Sequence, residues 1–579
     1  MFNFFNPPAP KPRLSQDKIP AKYAQMRLRV FLGAFLGYAA YYLVRKNLSL
    51  AAPGMIESGL LDKASVGLAG SAISIAYAFS KFIMGSLSDR SDARKFLVVG
   101  LILSSLLMIC TGLIPYSHTN PGINVGIIFG LMLLVGWLSG MGWPPCGRIM
   151  AHWFSQNERS FKMSVWNTSH TIGSGSLGLL VTAGIAIFAM LGWGDTWRAA
   201  FIFPSCVALL LAVFCWWALR DTPQACGLPP IDEYRNDYSA VKAAKGEEQK
   251  IPFKKLFVDY IFKNKILWLI ALANAFVYLV RYGISDWAPV YLQEMNIMDT
   301  SQSNLAFSLH NYAGVPGTII CGWISAKFFK GRCAPANVIY MVLVLIGILV
   351  YWKAAPIAQS LAEIFGGDPA AIGRTVVYTA LCEIGFCIYG PVALIGIQAL
   401  NLVPKNAAGT AAGFVGLFGY LFGDAVLAKI VMGSVANDNS LGWNATFWMF
   451  IVASLLATAF CATTCFAAAS PICTPSACAR TSGRNWPPGV LTSFWWMPRA
   501  AGSPCWLKAF PTPAVSIPPS PEATPSGSGA FCWPPSGVWL PAASCCTLHA
   551  PTLRRKMNAM SCTDRKSTRL NSSHMNLSR

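Results

Sequence analysis

The sequence predicts an all-α membrane protein, with twelve transmembrane helices arranged in two six-helix halves related by a pseudo-twofold axis. Three observations predict this fold class: an apolar composition, a series of apolar runs of membrane-spanning length, and a sequence repeat around one arginine. The 579 residues are 54% hydrophobic and only 12% charged, and their mean hydropathy is +0.46. A soluble protein of this size would not carry so many long apolar runs.

The apolar runs define twelve spans, which we number in chain order. A helix needs about 20 residues to cross the hydrocarbon core of a bilayer, and each run is close to that length. The spans lie near residues 28–51, 66–88, 95–115, 123–147, 163–190, 198–219, 264–293, 304–328, 337–355, 372–401, 407–433 and 445–469. The lipid bilayer is therefore the expected surroundings of the protein.

The two halves share a short repeat, Tyr-Leu-Val-Arg, which ends at Arg45 in span 1 and at Arg281 in span 7. Burying a charge in lipid costs about 2.5–3.5 kcal/mol or more, so an arginine at this depth is expected to face a polar cavity. On a continuous helix, positions i, i+4 and i+7 share a face. The residues on these faces are Tyr38, Tyr42 and Arg45 in span 1, and Asn274, Tyr278 and Arg281 in span 7.

The repeat divides the chain into five parts. Two halves in parallel repeat place a substrate site at their interface. The predicted parts are a cytoplasmic N-terminal arm at residues 1–27, the first half at 28–219, a polar cytoplasmic linker at 220–262, the second half at 263–469 and a tail at 470–579.

The tail differs in composition from the rest of the chain. From about residue 466 the hydrophobic pattern stops, and Pro, Ser, Cys and Trp dominate without a period. Residues 565–574 resemble translated sequencing-adapter DNA. We therefore expect a frameshift near the end of span 12, followed by a disordered, non-native tail; a disordered regulatory tail is the alternative.

The net charge of +21 follows the membrane topology and not a nucleic-acid surface. Basic residues gather in the N-terminal arm and in alternate loops, which is the pattern of the positive-inside rule. The basic loop clusters are Arg90, Arg94 and Lys95; Arg159 and Lys162; residues 242–265; Lys327, Lys330 and Arg332; and Lys405. We expect both termini in the cytoplasm and no nucleic-acid partner.

Composition and spacing give no support to an enzyme. The cysteines before residue 460 are scattered singly, without the spacing of metal ligands. The spans contain no acid pair and no nucleophile–base set, and the chain has no nucleotide-binding loop. We expect no catalytic residue, no cofactor, no metal site and no direct coupling to ATP hydrolysis.

Several motifs resemble a known family. The loop after span 2, with Gly85, Asp89, Arg90 and Arg94, resembles the signature loop of the major facilitator superfamily. The longer segments at residues 37–47, 140–148, 220–224 and 408–414 resemble the organophosphate:phosphate antiporters of that superfamily. The resemblance covers roughly residues 1–460 and implies a monomeric secondary transporter of the bacterial inner membrane that works by alternating access.

The resemblance implies exchange of glycerol 3-phosphate for inorganic phosphate. A hexose phosphate or phosphoglycerate as the substrate, and a sugar-phosphate sensor on the same fold, remain alternatives. Arg45 and Arg281 match the phosphate-binding arginine pair of the family, and a guanidinium suits phosphate because its planar fork of donors matches phosphate oxygens. Pairing of each arginine with a buried acid is the disfavoured alternative, because Asp286 is five residues beyond Arg281 and no acid lies within one turn of Arg45.

Other polar residues complete the predicted binding site. Lys81 and His170 match family positions, although Lys81 could snorkel to a helix end and His170 could be merely hydrogen-bonded. A tyrosine hydroxyl can serve either a cavity or the interfacial belt of a membrane protein. The remaining candidates are Asn167, which precedes His170, and the cavity hydroxyls Tyr38, Tyr42, Tyr278, Tyr389 and Tyr420.

The sequence departs from the family pattern at several positions. Asn311 stands in span 8 where the most similar subfamily has a glutamate, and we expect the empty cavity to be more positive as a result. Ala326 replaces the aspartate of the second signature loop. Glu383, Asp424 and Lys429 are ionisable residues without a family counterpart, and Asp424 and Lys429 are five residues apart, which is not a pairing distance on an α-helix.

Overall fold

The computed structural model describes residues 2–117, 119–236, 261–403 and 408–469, and these residues are helical through most of their length. Each of the six predicted spans of the first half falls on helix. The helices are Ile19–Leu43 and Asn47–Glu57 in span 1, Lys63–Ser88 in span 2, Ala93–Leu113 in span 3, Pro121–Ser139 and Trp143–Trp153 in span 4, Gln156–Asn167 and Ser169–Met190 in span 5, and Ala199–Ala218 in span 6.

The second half repeats this arrangement. Its helices are Lys265–Glu294 in span 7, Thr300–Phe328 in span 8, Cys333–Trp352 in span 9, Pro369–Asn401 in span 10, Ala408–Leu417 and Met432–Asn437 at the two ends of span 11, and Gly442–Ala469 in span 12. The middle of span 11, Phe418–Val431, is a π-helix. A short helix, Ala354–Phe365, joins spans 9 and 10.

Nine helices of the described residues are long and apolar enough to cross a membrane. They correspond to every span except 1, 2 and 8. Span 8 is nonetheless a helix of 29 residues, and it buries Asn304, His310 and Asn311. A span that faces a polar interior carries such side chains, and they lower its mean hydropathy although the helix is long enough to cross a membrane.

Span 1 is interrupted at Arg45. The expected continuous helix ends at Leu43, and a new one begins at Asn47. The Asn47 side chain donates to the Leu43 carbonyl at 2.9 Å and to the Ala200 carbonyl of span 6 at 2.7 Å, so it satisfies a carbonyl that the break would leave free. The predicted single face of Tyr38, Tyr42 and Arg45 is therefore wrong as a helical face, because the chain changes conformation between Leu43 and Asn47.

The N-terminal arm lies against the start of the linker. The Lys11 amide donates to the Gln224 carbonyl at 3.0 Å, and the Leu14 amide donates to the Gly227 carbonyl at 2.9 Å. The first helix begins at Ile19, inside the segment predicted as arm. Residues 237–260 of the predicted linker and the predicted tail at 470–579 lie outside the described residues.

The two halves meet along spans 1 and 2 of the first half with 7 and 11 of the second, and along span 5 with span 8. Small residues allow this approach. A Cβ at Gly67 of span 2 would overlap the Lys429 backbone, and one at Gly178 of span 5 would overlap the Asn304 carbonyl. Spans 5 and 8 are also joined by a hydrogen bond of 2.9 Å between the Ser176 and Tyr312 hydroxyls.

Gly317 tests the close contact of spans 8 and 10. A Cβ at this position would overlap the Phe386 carbonyl of span 10, whereas one at Gly322 of the same helix would meet no atom. We expect Gly317→Ala to lower stability by about 1–3 kcal/mol, the usual effect of overpacking, and Gly322→Ala to have little effect. Thermal unfolding of the purified variants in detergent measures both, and equal unfolding temperatures would contradict the close packing.

Candidate functional site

A cavity of about 680 Å³ lies between the two halves. It is lined by residues of spans 1, 2, 4, 5, 7, 8, 10 and 11, and it extends from Arg281 toward the span ends that carry the basic loops. Nine of the eleven predicted binding residues line it: Tyr38, Tyr42, Lys81, Asn167, His170, Tyr278, Arg281, Tyr389 and Tyr420. Sequence reasoning missed Tyr77, Trp143, Trp166 and Thr318, which share the same wall.

Arg281 is buried at the inner end of the cavity, with 5% of its surface exposed. Its guanidinium carbon lies 4.6 Å from the ring centre of Tyr389 and 4.8 Å from that of Tyr282. Rings at this distance attract a cation by about 0.5–2 kcal/mol and leave its charge uncompensated. Arg281 therefore presents a full positive charge to the cavity.

Arg45 lies behind the tyrosine layer of the cavity. Its guanidinium carbon is 3.7 Å from the ring centre of Tyr77 and 5.5 Å from those of Tyr42 and Tyr420. It lines a small void of about 30 Å³ on the far side of these rings. Tyr42 and Tyr420, which line the cavity, are within electrostatic range of both arginines.

Neither arginine is neutralised by an acid. In the part of the chain that the structure describes, no carboxylate forms an ion pair with Arg45 or Arg281. Buried charges are ordinarily paired, because desolvation without a partner is costly. Two buried guanidinium groups that contact tyrosine rings and form no ion pair among the described residues make an electropositive site for an anion.

Lys81 and His170 add nitrogen groups to the cavity wall. The Lys81 ammonium lies 5.5 Å from the ring centre of Trp143. His170 Nδ1 is hydrogen-bonded to the Asn167 carbonyl, and because a carbonyl can only accept, Nδ1 carries the proton. The His170 ring packs between Tyr42 and Tyr389, with ring centres 5.5 and 6.0 Å away.

Asn274 does not line the cavity. Its side-chain amide donates to the Val415 carbonyl of span 11 at 2.9 Å, and only 3% of the residue is exposed. The sequence repeat put Asn274 in the place of Tyr38, but the neighbouring helix of the second half comes close enough to engage it. Gly419 and Gly423 of span 11 permit this approach, because a Cβ at either would overlap Asn274 or Tyr278.

The inner end of the cavity is closed by buried charges that do pair. Lys46 of the first half forms an ion pair with Asp286 of the second. Lys429 lies 2.9 Å from Asp424 and 3.7 Å from Asp286. Ser74 of span 2 joins this group across the interface: its hydroxyl donates to Asp424 at 2.5 Å and accepts from the Lys429 ammonium at 2.7 Å. We call Lys46, Ser74, Asp286, Asp424 and Lys429 the closing cluster.

Span 11 brings Asp424 and Lys429 together because it is π-helical there. An α-helix places residues five apart on different faces, whereas the π-helix forms its hydrogen bonds between residues i and i+5. Asp424 and Lys429 both lie within the π-helical segment Phe418–Val431. The expectation that they are poorly placed to pair is therefore wrong, because it assumed α-helical geometry.

The signature loop lies at the opposite ends of the spans. Arg148 of span 4 donates to the Asp89 carbonyl at 2.6 Å and pairs with Asp221 at 3.0 Å. Asp221 also accepts the Ala93 amide at 3.0 Å. Asp89 and Arg90 are exposed, Gly85 has open space around it, and the Arg94 guanidinium lies 4.6 Å from the ring centre of Trp216. Asp221 thus holds the loop through its carboxylate, and Asp89 contributes its carbonyl.

Among the described residues, no three His, Cys, Asp or Glu side chains are grouped as metal ligands would be. Glu383, the remaining unmatched acid, lies against Gly347 of span 9, away from the cavity. The cavity offers cationic and hydroxyl groups, which suits binding of an anion.

The closing cluster can be tested by charge balance. Lys429→Met leaves Asp424 buried without its cation, which we expect to destabilise the protein by about 3–5 kcal/mol. Removing both charges, in Lys429→Met/Asp424→Leu, should restore most of the loss. Thermal unfolding in detergent measures this, with the exposed Lys330→Met as the control. A double variant as unstable as the single one would mean that Asp424 is not the partner of Lys429.

Comparison with known proteins places the chain in a family. Residues 34–428 match the family described as Major Facilitator Superfamily. The glycerol-3-phosphate transporter of Bacillus subtilis (strain 168) is 48% identical over 464 residues, which are 80% of this chain and 98% of that protein. The glycerol-3-phosphate transporter of Haemophilus influenzae is 44% identical over 465 residues, which are 79% of this chain and 95% of that protein.

More distant relatives share the fold. The membrane sensor protein UhpC of Escherichia coli (strain K12) is 33% identical over 422 residues, 73% of this chain and 89% of that protein. A solved inward-facing structure of a bacterial homologue of the human lysosomal transporter Spinster is 18% identical, with a TM-score of 0.53, over 77% of this chain and 96% of that chain. The chain therefore belongs to the major facilitator superfamily and, within it, to the organophosphate:phosphate antiporters.

Proposed function

We propose that the protein is a secondary transporter that exchanges glycerol 3-phosphate for inorganic phosphate across the bacterial inner membrane. The observation that carries this proposal is the pair of buried arginines without acid partners beside one cavity between the halves. The identity of 48% and 44% to two glycerol-3-phosphate transporters supports the choice of organophosphate. The substrate passes through unchanged, so the protein is not an enzyme.

Phosphate fits the charge of the site. A phosphomonoester carries about −1.5 to −2 charge near pH 7, and Arg45 and Arg281 together carry two positive charges. Guanidinium groups bind phosphate oxygens with paired, directed hydrogen bonds. The hydroxyls of Tyr42 and Tyr420 lie in the field of both arginines and can donate to the same anion. His170, whose ring packs between Tyr42 and Tyr389, and Lys81 line the same cavity and can contact the rest of an organophosphate.

Anion binding is coupled to movement through the break in span 1. Arg45 lies in this break, next to Lys46, and Lys46 pairs with Asp286 of the second half. Asp286 lies five residues after Arg281 in the unbroken helix of span 7. An anion that draws Arg45 and Arg281 together therefore acts on the two segments that carry Lys46 and Asp286 of the closing cluster. Alternating access then proceeds by rocking of the halves around the bound anion.

The proposed orientation puts the basic loops and both termini in the cytoplasm. The closing cluster then seals the periplasmic side, and the cavity faces the cytoplasm. We propose that one chain is sufficient for transport, because the cavity lies between the two halves of a single chain. The proposed partners are glycerol 3-phosphate, inorganic phosphate and the bilayer, with no nucleic acid and no cofactor.

Each arginine is expected to need its fork of donors. Arg45→Lys and Arg281→Lys keep the charge and lose paired hydrogen bonds, each worth about 1.5–3 kcal/mol to a charged group. We expect phosphate exchange in proteoliposomes to fall about 10–100-fold in each variant. The matched control is Arg332→Lys at an exposed position, which should exchange normally. Wild-type exchange rates in either arginine variant would contradict the proposal that both arginines bind phosphate.

Exchange is expected to require substrate on both sides. The empty site holds two uncompensated charges, and the empty carrier lacks the gain that an anion provides for reorientation. Phosphate preloaded into proteoliposomes should leave quickly when glycerol 3-phosphate or phosphate is outside, and slowly into phosphate-free buffer. Equal release under both conditions would refute the proposed coupling. Hexose phosphates and phosphoglycerates, tested outside in parallel, decide among the organophosphates, and absence of any exchange favours the sensor alternative.

A further inference from the structure

We propose that Asn311 is a positioning residue for phosphate binding: it orients Tyr389, and through Tyr389 it orients Arg281. This inference rests on the proposed function. It concerns a residue that does not line the cavity and that sequence reasoning treated only as a lost charge. In the structure Asn311 has a different role, which depends on its two hydrogen bonds and on Gly314, three residues along the same helix.

The orientation of the Asn311 side chain is fixed from both ends. Its Nδ2 donates to the Phe307 carbonyl of the same helix at 2.8 Å, so Nδ2 is the atom that faces back along span 8. Its Oδ1 consequently faces span 10 and accepts the Tyr389 hydroxyl at 2.7 Å. Only 1% of Asn311 is exposed, so water does not compete for either bond.

Gly314 completes the seat for Tyr389. It lies three residues after Asn311 and therefore on the same face of span 8. A Cβ at Gly314 would come within 2.7 Å of Tyr389 Cγ, so the ring packs directly on the helix backbone. The Tyr389 ring is thus held by shape at Gly314, and its hydroxyl is held by a hydrogen bond at Asn311.

Tyr389 passes this orientation to Arg281. The guanidinium carbon of Arg281 lies 4.6 Å from the Tyr389 ring centre, so the position of the ring limits the position of the guanidinium. Because the hydroxyl proton is donated to Asn311, the ring is held in the orientation in which it contacts Arg281. A ring contact of this kind uses no N–H donor of the guanidinium, so the donors remain for the anion.

In this arrangement residue 311 does not face the arginines directly. Tyr389 stands between Asn311 and Arg281, and Asn311 makes its polar contacts with Tyr389 and with its own helix. A neutral amide supplies the acceptor that Tyr389 needs and adds no negative charge. The site therefore gains a fixed Arg281 and keeps its full positive charge.

A double-mutant cycle tests this series of contacts from Asn311 through Tyr389 to Arg281, which we call the relay. Asn311→Leu removes the acceptor, and Tyr389→Phe removes the donor and keeps the ring. Each variant should raise the KM for inorganic phosphate about tenfold, as expected for one hydrogen bond in a charged network, with little change in kcat. The variant that carries both changes should be no worse than the poorer single variant, because both remove the same bond.

The controls separate this role from a general packing effect. Asn337→Leu replaces another buried asparagine of the second half, outside the cavity, and should leave the KM unchanged. Thermal unfolding of every variant monitors folding. Losses that multiply in the double variant would mean that Asn311 acts on the anion or on Arg281 directly, and a normal KM in Asn311→Leu would also overturn the proposal.

Binding of inorganic phosphate to the purified proteins, measured by calorimetry, distinguishes failure of the proposed transport function from failure of the proposed role of Asn311. If the wild type binds phosphate but does not exchange it, the proposed function fails, and the same cycle in Kd still tests Asn311. If the wild type exchanges phosphate but the cycle is additive, only the relay fails. If the wild type neither binds nor exchanges phosphate, both proposals fail.

Discussion

The constraint on which this structure depends is the cost of a charge that is buried without a partner. Six charged groups lie together between the two halves, and four of them form ion pairs whereas two do not. Lys46 and Lys429 are matched by Asp286 and Asp424, so the closing cluster is neutral. Arg45 and Arg281 contact tyrosine rings and pair with no carboxylate of the described residues. The unmet charge is thereby concentrated where an anion can enter.

The two arginines come from one repeat but occupy different local structures. Arg281 stands in an unbroken helix and lines the cavity, whereas Arg45 stands in a break of span 1 and reaches the site from behind the ring of Tyr77. The break gives Arg45 and its neighbour Lys46 different directions, one toward the tyrosine layer and one toward Asp286. A single irregular segment thus joins anion binding to closure, which a regular helix could not do.

Aromatic residues give the site its rigidity. The Tyr420 ring centre lies 4.9 Å from that of Tyr77 and 5.2 Å from that of Tyr278, and Tyr42, Tyr77 and Tyr420 form the layer between Arg45 and the cavity. Tyrosine suits this position because its ring packs in an apolar wall while its hydroxyl bonds to a polar neighbour. Glycines on the facing helices, such as Gly314 and Gly419, let the rings approach the backbone and leave them little freedom to turn.

Sequence alone determined the twelve spans, the two halves and most of the cavity wall, because apolar length, the cost of charge in lipid and repetition are properties of the chain itself. Tertiary structure decided how individual polar residues are used. Asn274 engages a carbonyl of span 11, Asp424 meets Lys429 through a π-helical turn, and Asn311 acts on Tyr389. These outcomes depend on local helix geometry and on which atoms of another span come within hydrogen-bonding distance, and neither is encoded in the spacing of residues along one span.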